Sequence, residues 1–136
     1  MARILAIDYG TKRCGIAVTD ESKIIASGLT TVQTNDLLSW LQHYIKEEEV
    51  ELFVIGEPKR MHGEASDVEQ YIQAFLEQLQ KEIPNIPVER VDERFTSKMA
   101  FDTMLASGIS KKKRKDKALI DKISAAIILQ DYLYNS

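Results

Sequence analysis

Three separated groups of acids sit where they can do chemistry. Asp8 closes a short apolar run and meets a glycine turn. Asp92 and Glu93 close another such run. Asp121 falls in the first turns of a C-terminal helical pattern, among Ile120, Ile123, Ala125 and Ile127. A carboxylate on so apolar a segment is costly to bury unless something pairs with it. The plain alternative is a solvent-facing acid, or one favoured by the helix N-terminal dipole. Acids converging at one sheet edge suit a hard divalent cation, because magnesium takes oxygen ligands and keeps several waters. Two such ions, roughly 4 Å apart, activate a water and stabilise the leaving oxygen of a phosphodiester. That chemistry needs no Cys or His cluster. His43, His62 and Cys14 share no zinc-type spacing, so zinc is not expected, and Cys14 reads as a small core residue. Glu57, after another apolar run, reads as a surface acid rather than a further ligand.

Bases accompany these acids. Lys12 and Arg13 follow Asp8 within one turn and can meet a phosphate, or form an ordinary solvated hairpin. Arg94 sits beside Asp92 and Glu93. The run Lys111-Lys112-Lys113-Arg114-Lys115-Asp116-Lys117 precedes Asp121 closely. The chain has 18 Lys+Arg and 21 Asp+Glu, a net charge of −3; that run holds six of the bases and one of the acids. The remainder is then a body near −8 carrying a patch near +5. An acidic body does not bind phosphates broadly, but a basic loop on it binds them locally.

The elements that must position these groups follow from periodicity. Arg3 to Tyr9, Cys14 to Thr19 and Lys23 to Val32 read as three successive strands, an antiparallel meander. Asn35 or Asp36 caps a helix carrying Leu37, Leu38, Leu41, Tyr44 and Ile45. Glu51 to Gly56 is a continuous apolar run, expected for a strand covered on both faces. A helix from about Ser66 carries Val68, Tyr71, Ile72, Phe75, Leu76 and Leu79, and Pro84 and Pro87 mark its exit. Val88 to Val91 is a further strand. A helix capped by Thr96 or Ser97 stops near Gly108, and a last helix spans about Ala118 to Tyr134. The segment Gly56 to Gly63 lacks the P-loop arrangement, though it occupies a favoured ligand position after a strand. Strands alternating with helices after a meander imply an α/β fold, a mixed five-stranded sheet flanked by helices.

The length of 136 residues suits one domain over residues 1–136. Hydrophobic residues at 44% exclude a disordered chain, and no apolar run reaches the roughly 20 residues of a membrane span. Asp8 interrupts the N-terminal apolar stretch, so no export signal is expected. A lone cysteine fits a reducing cytoplasm.

The stretch Asp8-Tyr9-Gly10-Thr11-Lys12-Arg13-Cys14-Gly15-Ile16-Ala17-Val18-Thr19-Asp20 resembles the opening motif of the YqgF (RuvX) family. Gly56-Glu57-Pro58 with Gly63 resembles its second motif, Asp92-Glu93-Arg94-Phe95-Thr96-Ser97 its third, and Asp121-Lys122-Ile123-Ser124-Ala125-Ala126 its last. The motifs keep the family's order and span nearly the whole chain. The resemblance implies a ribonuclease H-like fold and a metal-dependent nuclease using magnesium or manganese. It implies action at the 5′ end of pre-16S rRNA, with a ribosomal particle as a possible partner, or resolution of four-way DNA junctions like RuvC. Its acidic site maps onto Asp8, Glu93 and Asp121, with Asp92 as a possible further ligand. Lys12, Arg13, Arg94, Lys111, Lys112, Lys113, Arg114 and Lys115 are the expected phosphate-holding residues. The second motif departs from the family's Gly-Leu-Pro and Asn-Met-Asp-Gly: here the acid is His62, which argues against an essential ligand there.

Rival expectations differ in what they require. Junction resolution requires two related sites, hence a dimer on a two-fold substrate, whereas the rRNA reading is satisfied by a monomer or weak homodimer. Asp-x-Gly turns also hold ATP in actin-like ATPases and sugar kinases, but those need two lobes. A non-catalytic RNA-binding module would keep RNA binding without metal dependence.

Overall fold

The computed structural model describes residues 2–20, 22–23, 26–57, 67–92 and 117–135. Strand β1 (Arg3–Asp8) lies at the centre, with Leu5, Ala6 and Ile7 wholly buried, as an apolar strand covered on both faces must be. It pairs antiparallel with β2 (Arg13–Thr19), which pairs antiparallel with β3 (Ala26–Gln33). This is the expected meander. On its other side β1 pairs parallel with β4 (Val50–Glu57), and β4 pairs parallel with β5 (Val88–Asp92). The sheet order is β3-β2-β1-β4-β5. Because β1, β4 and β5 run the same way, Asp8, Glu57 and Asp92 all end on one edge.

Helices α1 (Leu37–Glu47) and α2 (Glu69–Glu82) cover one face. Leu37, Leu41, Ile72, Phe75 and Leu79 there join Leu5, Ile7, Ile16, Phe53 and Ile55 of the sheet. Helix α3 (Lys117–Asn135) covers the other, where Ala125, Ile128 and Leu129 pack on Ile4, Ala6, Ala17 and Val54. No helix of the described residues is long and apolar enough to cross a membrane.

Two boundaries and the bonding of one cap differ from expectation. β3 begins at Ala26, not Lys23; the Lys23 N–H closes a turn onto the Asp20 carbonyl at 3.0 Å with φ of 60°. That left-handed backbone cannot belong to a strand. Asp36 occupies the position before α1, but its side chain makes no capping bond, and Thr34–Asp36 forms a 3-10 turn instead. Ser39 Oγ donates to the Asp36 carbonyl at 3.0 Å. α2 starts at Glu69 rather than Ser66, where the Val68 carbonyl accepts from the N–H groups of Tyr71 and Ile72. The expected helix between Thr96 and Gly108 lies outside the described residues.

Candidate functional site

The site is built on the pairing of Asp8 with Gly15 across β1 and β2. Directly opposite residues of an antiparallel pair point to the same face. Ile4 and Ala6, which alternate with Asp8, pack under α3, so Asp8 lies on the α3 face. A Cβ on Gly15 would stand 1.9 Å from the Asp121 carbonyl oxygen. Only a glycine lets the backbone of α3 approach β2 this closely. Asp121 is thereby pressed against the strand at the residue facing Asp8. Gly28 repeats the device on β3, where a Cβ would meet the Lys122 side chain at 2.7 Å.

Both carboxylates are half-buried. Arg13 Nε donates to Asp121 Oδ2 at 2.8 Å, with the two side chains 33% and 26% exposed. Arg13 shares sequence parity with Gly15, so it reaches α3 from the same face of β2. Lys12 is exposed in the turn before it. That turn is pinned by Thr34, which sequence reasoning missed. Its Oγ1 donates to the Gly10 carbonyl at 2.6 Å and its N–H donates to the Lys12 carbonyl at 3.0 Å. The only sequence signal was a hydroxyl residue just past the end of an edge strand, where a cap for α1 was the more natural role.

Cys14 is buried on the opposite side of β2, in the cluster under α1 and α2. Burial pushes its thiol above the ordinary range; hydrogen bonds to Thr34 and Gly10 oppose this, and the Asp8 and Asp121 charges add to it. A neutral, buried thiol is no nucleophile, so the expectation of a core residue is borne out.

Along β5, Val88 packs in the cluster under α1 and α2, whereas Val91 packs with the α3 cluster. Arg90 faces α2: Nη1 and Nη2 donate to the two carboxylate oxygens of Glu69 at 3.0 and 2.8 Å. Its Nε and Nη2 also donate to the Ile55 and Gly56 carbonyls at 3.2 and 3.0 Å. One guanidinium thus ties the ends of β4 and β5 to the start of α2. By the same alternation Asp92, exposed, and Glu57, its register partner, lie on the α2 face, across the sheet from Asp8.

The structure therefore brings Asp8, Asp121 and Arg13 together and sets Lys12 at their margin. Glu93, Arg94, Lys111, Lys112, Lys113, Arg114 and Lys115 lie outside the described residues. Among the described residues no group of three His, Cys, Asp or Glu side chains converges. The two acids that share this face, Asp8 and Asp121, offer oxygens only, the set a hard cation takes and zinc does not favour.

Comparison with known proteins agrees with this architecture. A family profile described as "RuvX: Holliday junction resolvase" matches residues 2–135. A protein of Christiangramia forsetii, named "Putative pre-16S rRNA nuclease", is 62% identical over 134 residues, covering 98% of this chain and 99% of that one. Among solved structures, the Fowlpox virus resolvase with Holliday junction DNA superposes with a TM-score of 0.60 at 13% identity, covering 97% of each chain. Thermus thermophilus RuvC with a Holliday junction substrate gives 0.59 at 16% identity, covering 98% of this chain and 94% of that one. Likeness at such low identity establishes the fold, the ribonuclease H-like one that the motifs implied. The sequence match over nearly every residue establishes more: the chain belongs to the RuvX family.

Proposed function

We propose that this protein is a metal-dependent endonuclease, a single domain that processes the 5′ end of pre-16S rRNA. The observation that carries the reading is the close approach of α3 to β2 at Gly15, which sets Asp121 on the face of Asp8 at the sheet edge. A full-length relative named for pre-16S rRNA supports the substrate. Asp8 and Asp121 would hold magnesium or manganese, joined by Glu93. Asp92 has the strand parity of Arg90, which faces α2 on the other side of the sheet from Asp8. Asp92 is accordingly given no ligand role. The cation, when bound, supplies a polarised water and stabilises the charge on the leaving oxygen. Lys12, Arg94 and the bases from Lys111 to Lys115 hold backbone phosphates, which orient the RNA without reading its sequence. The enzyme acts in the cytoplasm, on RNA alone or on a ribosomal particle.

The test is cleavage of a 5′-extended 16S precursor by nuclease-free protein with magnesium or manganese. Asp8→Asn is expected to lower the rate by at least about a hundredfold, the scale of a lost metal ligand. Equal cleavage by Asp8→Asn and the parent protein would sink the mechanism. A second reading, resolution of four-way DNA junctions, is favoured by the fold shared with two junction-bound resolvases. It requires paired cuts by a dimer on a junction. Sedimentation showing a monomer on a synthetic junction, with no paired nicks, leaves the rRNA reading standing alone.

A further inference from the structure

The guanidinium of Arg13 is bonded to a carboxylate that the reading above gives to a cation. A cation at Asp121 would share that carboxylate with a second positive charge, the guanidinium whose Nε lies 2.8 Å from Oδ2, and the two oppose each other. The two sides of this pair differ in freedom. Asp121 is fixed, because its backbone rests against Gly15 with no room for even a methyl group. Arg13 is a long side chain at the start of β2, about one third exposed, next to the exposed Lys12. The pair is part-buried, yet water and salt reach both charges and compete for them. A guanidinium binds phosphate with the same fork it offers a carboxylate.

We propose that Arg13 is an exchangeable counter-ion for Asp121, coupling the entry of phosphate and cation. A backbone phosphate arriving at the sheet edge takes over the guanidinium. The divalent ion then meets Asp121 without the guanidinium against Oδ2, because the positive charge that would repel that ion now sits on the phosphate. Without nucleic acid, Arg13 weakens cation binding; with it, the two ligands strengthen each other, and such coupling is reciprocal. Arg13 is on this account a positioning residue whose partner changes, more than a fixed phosphate contact. The proposal rests on Asp121 being a metal ligand.

Manganese affinity measured by calorimetry on the full chain tests it without any turnover. Arg13→Gln is expected to bind manganese about two- to fivefold more tightly than the parent, the scale of an accessible ion pair. Lys122→Gln removes the same charge one residue from Asp121 and is expected to change affinity less. In an Asp121→Asn background the Arg13→Gln gain is expected to vanish; a gain of equal size there would reduce Arg13 to general repulsion and overturn the proposal. The titrations are repeated with a saturating phosphorothioate-backbone RNA hairpin, subtracting ion uptake by the hairpin alone. The hairpin is expected to tighten manganese binding more in the parent than in Arg13→Gln. Equal increments overturn the proposal, and this arm decides if Asp121→Asn binds no measurable manganese. Failure of the underlying reading looks different: Asp8→Asn and Asp121→Asn would then both bind manganese like the parent.

Discussion

At the scale of single residues, the site depends as much on small groups as on charged ones. Gly15 carries no functional atom, yet a methyl group there meets the Asp121 carbonyl. Gly15→Ala is expected to force α3 outward, costing about 1–3 kcal/mol as overpacking does. Precursor cleavage should fall further than stability does, because the displaced residue is Asp121. A variant that melts lower but cleaves at the parental rate would show that Asp121 need not be held so closely. Thr34 governs the turn bearing Lys12 and Arg13 through two hydrogen bonds. Thr34→Val removes the hydroxyl bond to Gly10 and should cost about 1 kcal/mol in chemical denaturation, with recovery in Thr34→Ser. Cys14 gives a pH dependence of known sign. Burial raises the folded thiol above its ordinary value of 9.0, so between that value and the folded one the native protein holds a proton the unfolded chain has lost. Its contribution to stability is complete below about pH 9 and declines as pH rises through the folded value. Denaturation midpoints from pH 8 to 10.5 should fall less steeply in Cys14→Ala than in the parent.

At the scale of elements, the strands were legible because their signals are local. Alternation, β-branched residues and glycine turns read correctly for the meander, and an uninterrupted apolar run read correctly for β4. The errors fell where a side chain serves a distant partner or a residue takes an unusual backbone. Lys23 adopts a positive φ that its type does not announce, and Thr34, to which the sequence assigned no role, turns back to Gly10. Of the site, Asp8 and Asp121 were legible as acids, and their grouping came from the family resemblance rather than from any local period. Arg13 and Asp121 are 108 residues apart, and no period or spacing reports that pair. The same holds for the clamp at the ends of β4 and β5. Arg90 and Glu69 are 20% and 15% exposed, and Arg90 also satisfies two carbonyls of β4. Breaking a pair this buried strands its partners, so Arg90→Met is expected to destabilise by about 2–3 kcal/mol. Combining it with Glu69→Gln should cost clearly less than the two single changes added together, as a double-mutant cycle of denaturation midpoints would reveal. Additive costs would mean that Arg90 acts through the β4 carbonyls alone.

At the scale of the whole molecule, the net charge of −3 is the sum of an acidic body and one dense basic run. The two parts answer to different ligands. Acids at the sheet edge suit cations, and Asp8 shares its face with Asp121, next to the helix that follows the basic run. A polyanion approaching this protein is repelled by most of its surface and attracted by that segment, which favours docking in one orientation. Phosphate contacts release condensed counterions, so each one steepens the fall of affinity with salt. Changing Lys111, Lys112 and Lys113 together to Gln should flatten the plot of log affinity against log salt by about 2 to 3 units of slope. The flattening should be the same for RNA hairpins of unrelated sequence, because phosphates carry no base identity. At saturating RNA the cleavage rate should stay near the parental value, since these bases are assigned to holding the backbone and not to the cation. An unchanged slope would place the run away from the nucleic acid, and the acidic body would then have to bind RNA through Lys12, Arg13 and Arg94 alone. So few contacts predict a slope shallow enough to tell apart in the same titration.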